Sequence, residues 1–296
     1  MRNIIIDTDI GDDADDILAL GLALSTEQLN LVGVTTVFKN TRLRAKMAKR
    51  VLQLAGREDI PVYAGCEHRI NGEENDDEEI PCQYQGKMDS QPIETEHAVE
   101  FMADALSQEK LTIVAIGPLT NIATLIKEHP ELIKNIDELV LMGGCYYRHV
   151  NEWNIICDPE AADIVFNSGI DIRAVGLDVT TKCHFDGDYL SQAKNNANTE
   201  LKKILIESCD AWFDKTGFTP ILHDPLTVFA LLEESDIEYN QEQVHVELKG
   251  EYTTGMTVCT EDGIWGRTPS NPNCLIAKNL NYSRFIKFFL NNVFLN

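Results

Sequence analysis

The feature that most restricts how this chain can fold is its rhythm. Short apolar runs alternate with longer helical patterns from the first residues onward. Ile4-Ile5-Ile6 reads as a buried strand, and Asp15 to Leu24 as a helix with acidic residues in its first turn, where they suit the positive end of the helix dipole. That helix is apolar nearly all round, so it is expected to be buried. Leu31 to Val37 is the next strand and Leu43 to Ala55 the next helix. The pattern repeats with Leu111 to Ile116 and Leu119 to Lys127, then Glu138 to Met142 and Pro159 to Phe166, then a strand at Ile172 to Val175. Strands separated by helices pair in parallel through right-handed crossovers. The expected fold class is therefore α/β: a doubly wound, mostly parallel, Rossmann-like sheet with helices on both faces. Gln243 to Leu248 and Thr254 to Val258 add a small antiparallel appendage, and Tyr282 to Val293 a final helix. No repeat or linker divides residues 1–296, so a single catalytic domain is expected.

Directly after the first strand comes Asp7-Thr8-Asp9-Ile10-Gly11-Asp12-Asp13-Ala14-Asp15-Asp16, six carboxylates in ten residues. In open α/β sheets, ligands bind beyond the carboxyl ends of the strands. Carboxylates crowded there repel one another unless a cation offsets them, and all-oxygen ligand sets select hard cations such as Ca²⁺ or Mg²⁺. Asp7 and Asp9 alternate on extended chain and point the same way. Gly11 permits a tight turn, and Asp15 and Asp16 then open the helix. An EF-hand is excluded, because its sixth and twelfth loop positions would hold Asp12 and Leu18.

Charge narrows the function classes. The chain carries a net charge of −23, which repels nucleic-acid phosphates and anionic membranes. No apolar run approaches the roughly 20 residues that span a bilayer, and three apolar residues after Met1-Arg2-Asn3 are too few for a signal sequence. The eight cysteines form no CxxC pair. Reduced thiols and a cytoplasmic location are expected.

The acidic motif resembles the signature of the nucleoside hydrolase family, the inosine-uridine-preferring type, and further motifs follow in order. Val34-Thr35-Thr36-Val37-Phe38-Lys39-Asn40 resembles the family's second strand, Gly117-Pro118-Leu119-Thr120-Asn121 its GPLTN turn, and Leu141-Met142-Gly143-Gly144 its LMGG. Glu152-Trp153-Asn154 with Asp158-Pro159-Glu160-Ala161-Ala162, His223-Asp224-Pro225, and Gly255-Met256-Thr257-Val258 complete the series. The resemblance implies Ca²⁺-dependent hydrolysis of ribonucleosides to ribose and free base. It places the metal on Asp9, Asp16, the main-chain oxygen of Thr120, and Asp224. Ribose would be held by Asp15, Asn40, Met142, Glu152, Asn154 and Asp224. Asp9 would be the general base toward water. His223 is the candidate acid for the departing base, since an ordinary imidazole titrates near 6.5; its other reading is a partner that holds Asp224. Family members are commonly homodimers or homotetramers.

Two other functions fit part of the pattern. A haloacid-dehalogenase-type phosphatase would use Asp7 as nucleophile, although Gly11 stands where that motif wants Thr or Val. A relative that binds nucleosides without turnover would keep the same residues. The chain also departs from the family. Three residues, Asp12, Asp13 and Ala14, separate Gly11 from the Asp pair where the commoner form has one, so Asp13 is a second candidate for a metal or ribose role. The segment Cys145 to Asn151 lacks the family's GN pair, leaving Arg148 or His149 to fill that space. Lys39 stands where Gly is frequent. Trp212, Phe213 and Phe218 are candidate rings for stacking on a base, Trp153 for the pocket wall, and the acidic stretch Asn71 to Glu79 for a surface loop or a lid.

Overall fold

The computed structural model describes the whole chain except residues 74–78, 89–90, 92, 94–96 and 261–270. The first half runs β1 (Arg2–Thr8), α1 (Asp15–Leu24), β2 (Leu29–Thr36), α2 (Thr41–Leu54), β3 (Val62–Ala64), α3 (Ala98–Gln108), β4 (Leu111–Ala115), α4 (Thr120–Glu128) and β5 (Ile136–Met142). The second half runs α5 (Trp153–Cys157), α6 (Pro159–Phe166), β6 (Ile172–Val175), α7 (Leu177–Thr180), α8 (Gly187–Asn195), α9 (Glu200–Thr216), α10 (His223–Phe229), β7 (Glu238–Val246), β8 (Thr257–Thr260), β9 (Cys274–Asn279) and α11 (Tyr282–Leu290).

Among the described residues the strands form one sheet in the order β3-β2-β1-β4-β5-β6-β9-β7-β8. Pairing is parallel from β3 through β9, and β7 is antiparallel to both β8 and β9. The doubly wound expectation holds, with one difference. The antiparallel appendage is not detached: β7 hydrogen-bonds to β9, which extends the parallel sheet beside β6.

The period of two along each strand builds two cores. Ile4 and Ile6 face a layer with Leu18 of α1, Met47 of α2, Leu205 of α9, Phe229 of α10 and Phe285 of α11. Ile5 faces the other layer, with Met102 of α3, Ile122 of α4 and Val165 of α6. β4 divides its residues the same way, Val114 to the first layer and Ile113 to the second. α1 is buried from Asp15 to Ala23, as its all-round apolar sequence requires. The first turn of that buried helix and the carboxyl end of β1 bring the acidic motif to the middle of the sheet edge.

Candidate metal and nucleoside site

β1 ends at Thr8, and the chain turns through Gly11 at φ 133° into α1. A side chain there would collide with Pro81, whose Cβ lies 2.6 Å from where a Gly11 Cβ would stand. The turn delivers Asp15 and Asp16 at the start of α1, and α10 delivers Asp224 from its own first turn. Carboxylate oxygens of Asp15, Asp16 and Asp224 lie within 4.8 Å of one another, all three residues buried. Three ionised carboxylates at that spacing repel by about 3–4 kcal/mol per pair at an effective dielectric of about 20. Burial first, and then the neighbouring carboxylates, push all three well above the usual range. Burial lifts Asp9 to about 7, with Arg44 pulling it back and Asp12 pushing it up, and lifts Asp13 to about 6. Protons or a cation must offset this charge, and an all-oxygen donor set fits a hard divalent cation. Asp15 thus belongs to the cluster together with Asp16 and Asp224.

The triad floors a cavity of about 540 Å³, the size of a small-molecule site. Its wall includes Asp9, Asp12 and Asp13 from the acidic turn, Ile116 after β4, Met142 at the end of β5, Asn151 to Asn154, Leu177, Trp212 and His223. Glu152 is fixed by accepting from the main-chain N–H groups of Gly144 (3.0 Å), Asn154 (2.9 Å) and Ile155 (3.1 Å). The Asn154 amide donates to the carbonyls of Met142 (3.1 Å) and Ile116 (3.3 Å). Lys39, Glu79 and Lys215 stand at the rim. Lys39 pairs with Glu79, and the Lys215 ammonium lies 3.9 Å from Glu79 and 3.7 Å from Asp12. A larger hollow, about 680 Å³, opens at the opposite, amino-terminal ends of β5, β6 and β9. The acid triad is not among its walls, so chemistry rather than size locates the site.

Most residues singled out from the sequence converge here: Asp9, Asp15, Asp16, Met142, Glu152, Asn154, His223 and Asp224. Two stand elsewhere. The Asn40 side chain accepts from Leu43 N (3.2 Å) as the N-cap of α2 and is absent from the described cavity wall. Thr120 opens α4: its hydroxyl donates to Asp158 (2.8 Å) and its carbonyl accepts the Thr124 hydroxyl (2.8 Å). Ile116, four residues earlier in the same turn, does line the wall.

Other expectations sort as follows. Asn151 lines the cavity, whereas exposed Arg148 donates to Leu177 O (2.7 Å) and neither Arg148 nor His149 is on the described wall. Trp212 lines it, while Phe213 and Phe218 are exposed and do not. Trp153 is on the wall but 57% exposed, edge-on to Phe38 at 6.3 Å. Of the acidic stretch from Asn71 to Glu79, residues 74–78 lie outside the described residues. His223 does not keep an ordinary imidazole's acidity. Its Nδ1 lies 2.7 Å from the Thr180 hydroxyl, and burial, with His184 second, pushes it down to about 4. Asp7 is sealed beneath the site, accepting from Thr35 (2.6 Å) and Asn121 (2.7 Å), and is not on the wall. A nucleophile must reach its substrate, so the phosphatase reading loses its central residue. All eight cysteines are unpaired, and burial pushes thiols such as Cys66 up to about 11. Among the described residues no helix is long and apolar enough to cross a membrane.

Comparison with known proteins agrees with this geometry. Residues 4–287 match the family model for inosine-uridine preferring nucleoside hydrolase. A pyrimidine-specific ribonucleoside hydrolase of Photobacterium profundum is 38% identical, covering 87% of this chain and 88% of its own length. A probable uridine nucleosidase of Arabidopsis thaliana is 36% identical, covering 87% and 85%. Among solved structures, a plant nucleoside hydrolase superposes with a TM-score of 0.87 at 27% identity, covering 100% of this chain and 99% of that one. A purine-preferring ribonucleoside hydrolase from Gardnerella vaginalis gives 0.85 at 27%, covering 99% and 98%. Fold, cavity and relatives together define an N-glycosidase acting on ribonucleosides. The chain belongs to the inosine-uridine preferring nucleoside hydrolase family.

Proposed function

We propose that this enzyme hydrolyses pyrimidine ribonucleosides, uridine first among them, with a calcium ion in the acid cluster. The observation that carries the reading is the convergence of Asp15, Asp16 and Asp224 on the floor of a nucleoside-sized cavity. The pyrimidine preference is supported by the relatives named pyrimidine-specific ribonucleoside hydrolase and probable uridine nucleosidase. Asp9, Asp16 and Asp224 would hold the cation with the Ile116 carbonyl. Asp15, Asp224, Met142, Asn151, Glu152 and Asn154 would hold the ribose. A bound divalent cation supplies Lewis acidity that orients water and makes it more acidic.

The remaining chemistry belongs to the chain. Asp9 accepts the proton of the attacking water on a carboxylate oxygen. The surrounding carboxylates stabilise the positive charge that develops on the sugar as the base departs. We assign the Nε2–H tautomer to His223, in which Nδ1 accepts from the Thr180 hydroxyl 2.7 Å away. The neutral ring then offers the departing base a hydrogen bond rather than an imidazolium proton. A homodimer or homotetramer in the cytoplasm, one catalytic unit per chain, rests on the family resemblance and is tested by light scattering.

The decisive assay is release of ribose from uridine, cytidine and inosine, with and without a chelator, in the wild type and in Asp9→Asn. We expect turnover that stops on chelation and returns with calcium, and a kcat lower by about 10²–10⁴-fold in the variant. Turnover indifferent to chelation removes the cation. Calcium binding without hydrolysis of any nucleoside leaves a binding protein.

A further inference from the structure

The acidic turn runs five residues from Asp9 to Asp13 between β1 and α1, and each of its main-chain carbonyls needs a donor. Arg44, in the first turns of α2, is 1% exposed, unusual for a guanidinium. It spends its donors on that turn and on the neighbouring corner. Nη1 donates to the carbonyls of Asp9 and Ile10 (the latter at 3.0 Å), Nε to the carbonyl of Phe38 (2.9 Å), and Nη2 to the Asp12 carboxylate (2.9 Å). The corner it holds is itself unusual, because Phe38 and Lys39 both adopt positive φ, 71° and 56°. Non-glycine residues pay for that conformation, so it persists only where neighbours enforce it.

From the other side, Gln83, 2% exposed, closes the same turn. Its amide donates to the carbonyls of Asp12 (3.0 Å) and Asp13 (2.6 Å), and its main-chain N–H to that of Gly11 (3.0 Å). The carbonyls of residues 9 to 13 are thus all held by two side chains and one amide. Asp9 and Asp13 both line the cavity, where Arg44 itself is not among the lining residues.

We propose that Arg44 is the positioning residue of the cation site: it clamps the main chain at Asp9 and Ile10, and the turn through Asp12, so that the carboxylates converge before a cation arrives. This rests on the cation-binding reading above. A planar fork serving four acceptors is not replaceable by a lysine, which has one nitrogen and a compact charge. Asp12 supplies only one of the four contacts, so the main-chain clamp should matter more than the ion pair.

The test is calcium titration by calorimetry of the chelated, dialysed wild type, Arg44→Lys and Asp12→Asn, with thermal unfolding in chelator alongside. We expect Arg44→Lys to bind calcium about ten-fold more weakly while its unfolding midpoint in chelator stays within a few degrees of wild type. Its kcat should recover to within three-fold at saturating calcium, and Asp12→Asn, which removes one contact of the four and one cavity charge, should weaken calcium less than Arg44→Lys does. Arg44→Lys binding calcium as tightly as wild type overturns the proposal. So does Asp12→Asn weakening it equally, which would assign the effect to the ion pair. A wild type that binds no calcium sinks this inference together with the reading beneath it. Should Arg44→Lys fail to fold, hydrogen exchange on the wild type decides: amides 10–16 protected equally with and without calcium support prior positioning, and their release on chelation refutes it.

Discussion

Gly117→Ala asks how tightly the site depends on its packing. Gly117 opens the turn between β4 and α4 and lies against the acidic motif. A Cβ built there would meet Val37 Cγ1 at 2.8 Å, Asp9 N at 2.9 Å and Asp9 Oδ1 at 3.0 Å. Ordinary carbon contacts lie at about 3.5–4.0 Å, so something must move by roughly half an ångström or more. Little can yield. Val37 is fully buried, and the Asp9 main chain is held by Arg44. The glycine does not have a positive φ, so alanine suits the backbone and the penalty is steric. Overpacking of this kind costs about 1–3 kcal/mol of stability. Displacement of the base by up to an ångström costs about 10²-fold in rate.

The assay is steady-state hydrolysis of uridine at saturating calcium, with kcat and KM resolved, and thermal unfolding beside it. Gly169→Ala is the control: nothing lies within 4 Å of its added Cβ, but its φ is +80°. That variant should lose stability through backbone strain and keep its kcat. A Gly117→Ala enzyme with kcat within three-fold of wild type would refute the claim that Asp9 is held without slack.

Three further outcomes follow from the same geometry. Burial holds the Asp9 carboxyl at about 7 against an ordinary 3.8, so the chelated protein carries a proton there that the unfolded chain has released. That contribution is complete below 3.8 and is lost as pH rises through about 7, about 4 kcal/mol for this one group. Melting in chelator from pH 5 to pH 8 should therefore show a falling midpoint, and calcium should bind more tightly as pH rises; a flat or rising midpoint contradicts the assignment. For His223→Ala we expect a greater loss with uridine than with a riboside whose leaving group departs without a hydrogen bond, because burial pushes the ring down to about 4 and leaves it a neutral donor; equal losses would leave His223 a structural role. Lys215→Met removes a half-exposed ammonium from Asp12 and Glu79; the melting point should shift by less than about 1 kcal/mol equivalent, and KM rather than kcat should change, so an unaltered KM argues against the rim contributing to substrate entry.

What the sequence reveals of this molecule, and what it conceals, divides along a physical line. The boundaries of α1, α6 and β6 coincide with the reading from pattern alone, because each is set by local signals: an apolar run, acids in a first turn, a proline at a helix start. The predicted residues that line the cavity are side chains whose chemistry is spelled by their identity. Those that do not line it depend on direction or surroundings. A sequence names Thr120 but does not say which residue a chain presents to the cavity as it leaves a strand; the residue there is Ile116, one beyond β4. Asn40 carried a warning, since Asn just before a helical run is a preferred cap worth about 1 kcal/mol, and α2 uses it so. The weakened basicity of His223 comes from burial, which no motif encodes. Arg44 was invisible for a related reason: an arginine in an amphipathic helix reads as surface, and only the structure shows it buried against the acidic turn. Every main-chain carbonyl of a binding turn needs a donor, and the buried side chains that supply those donors, Arg44 and Gln83, are the ones to look for next.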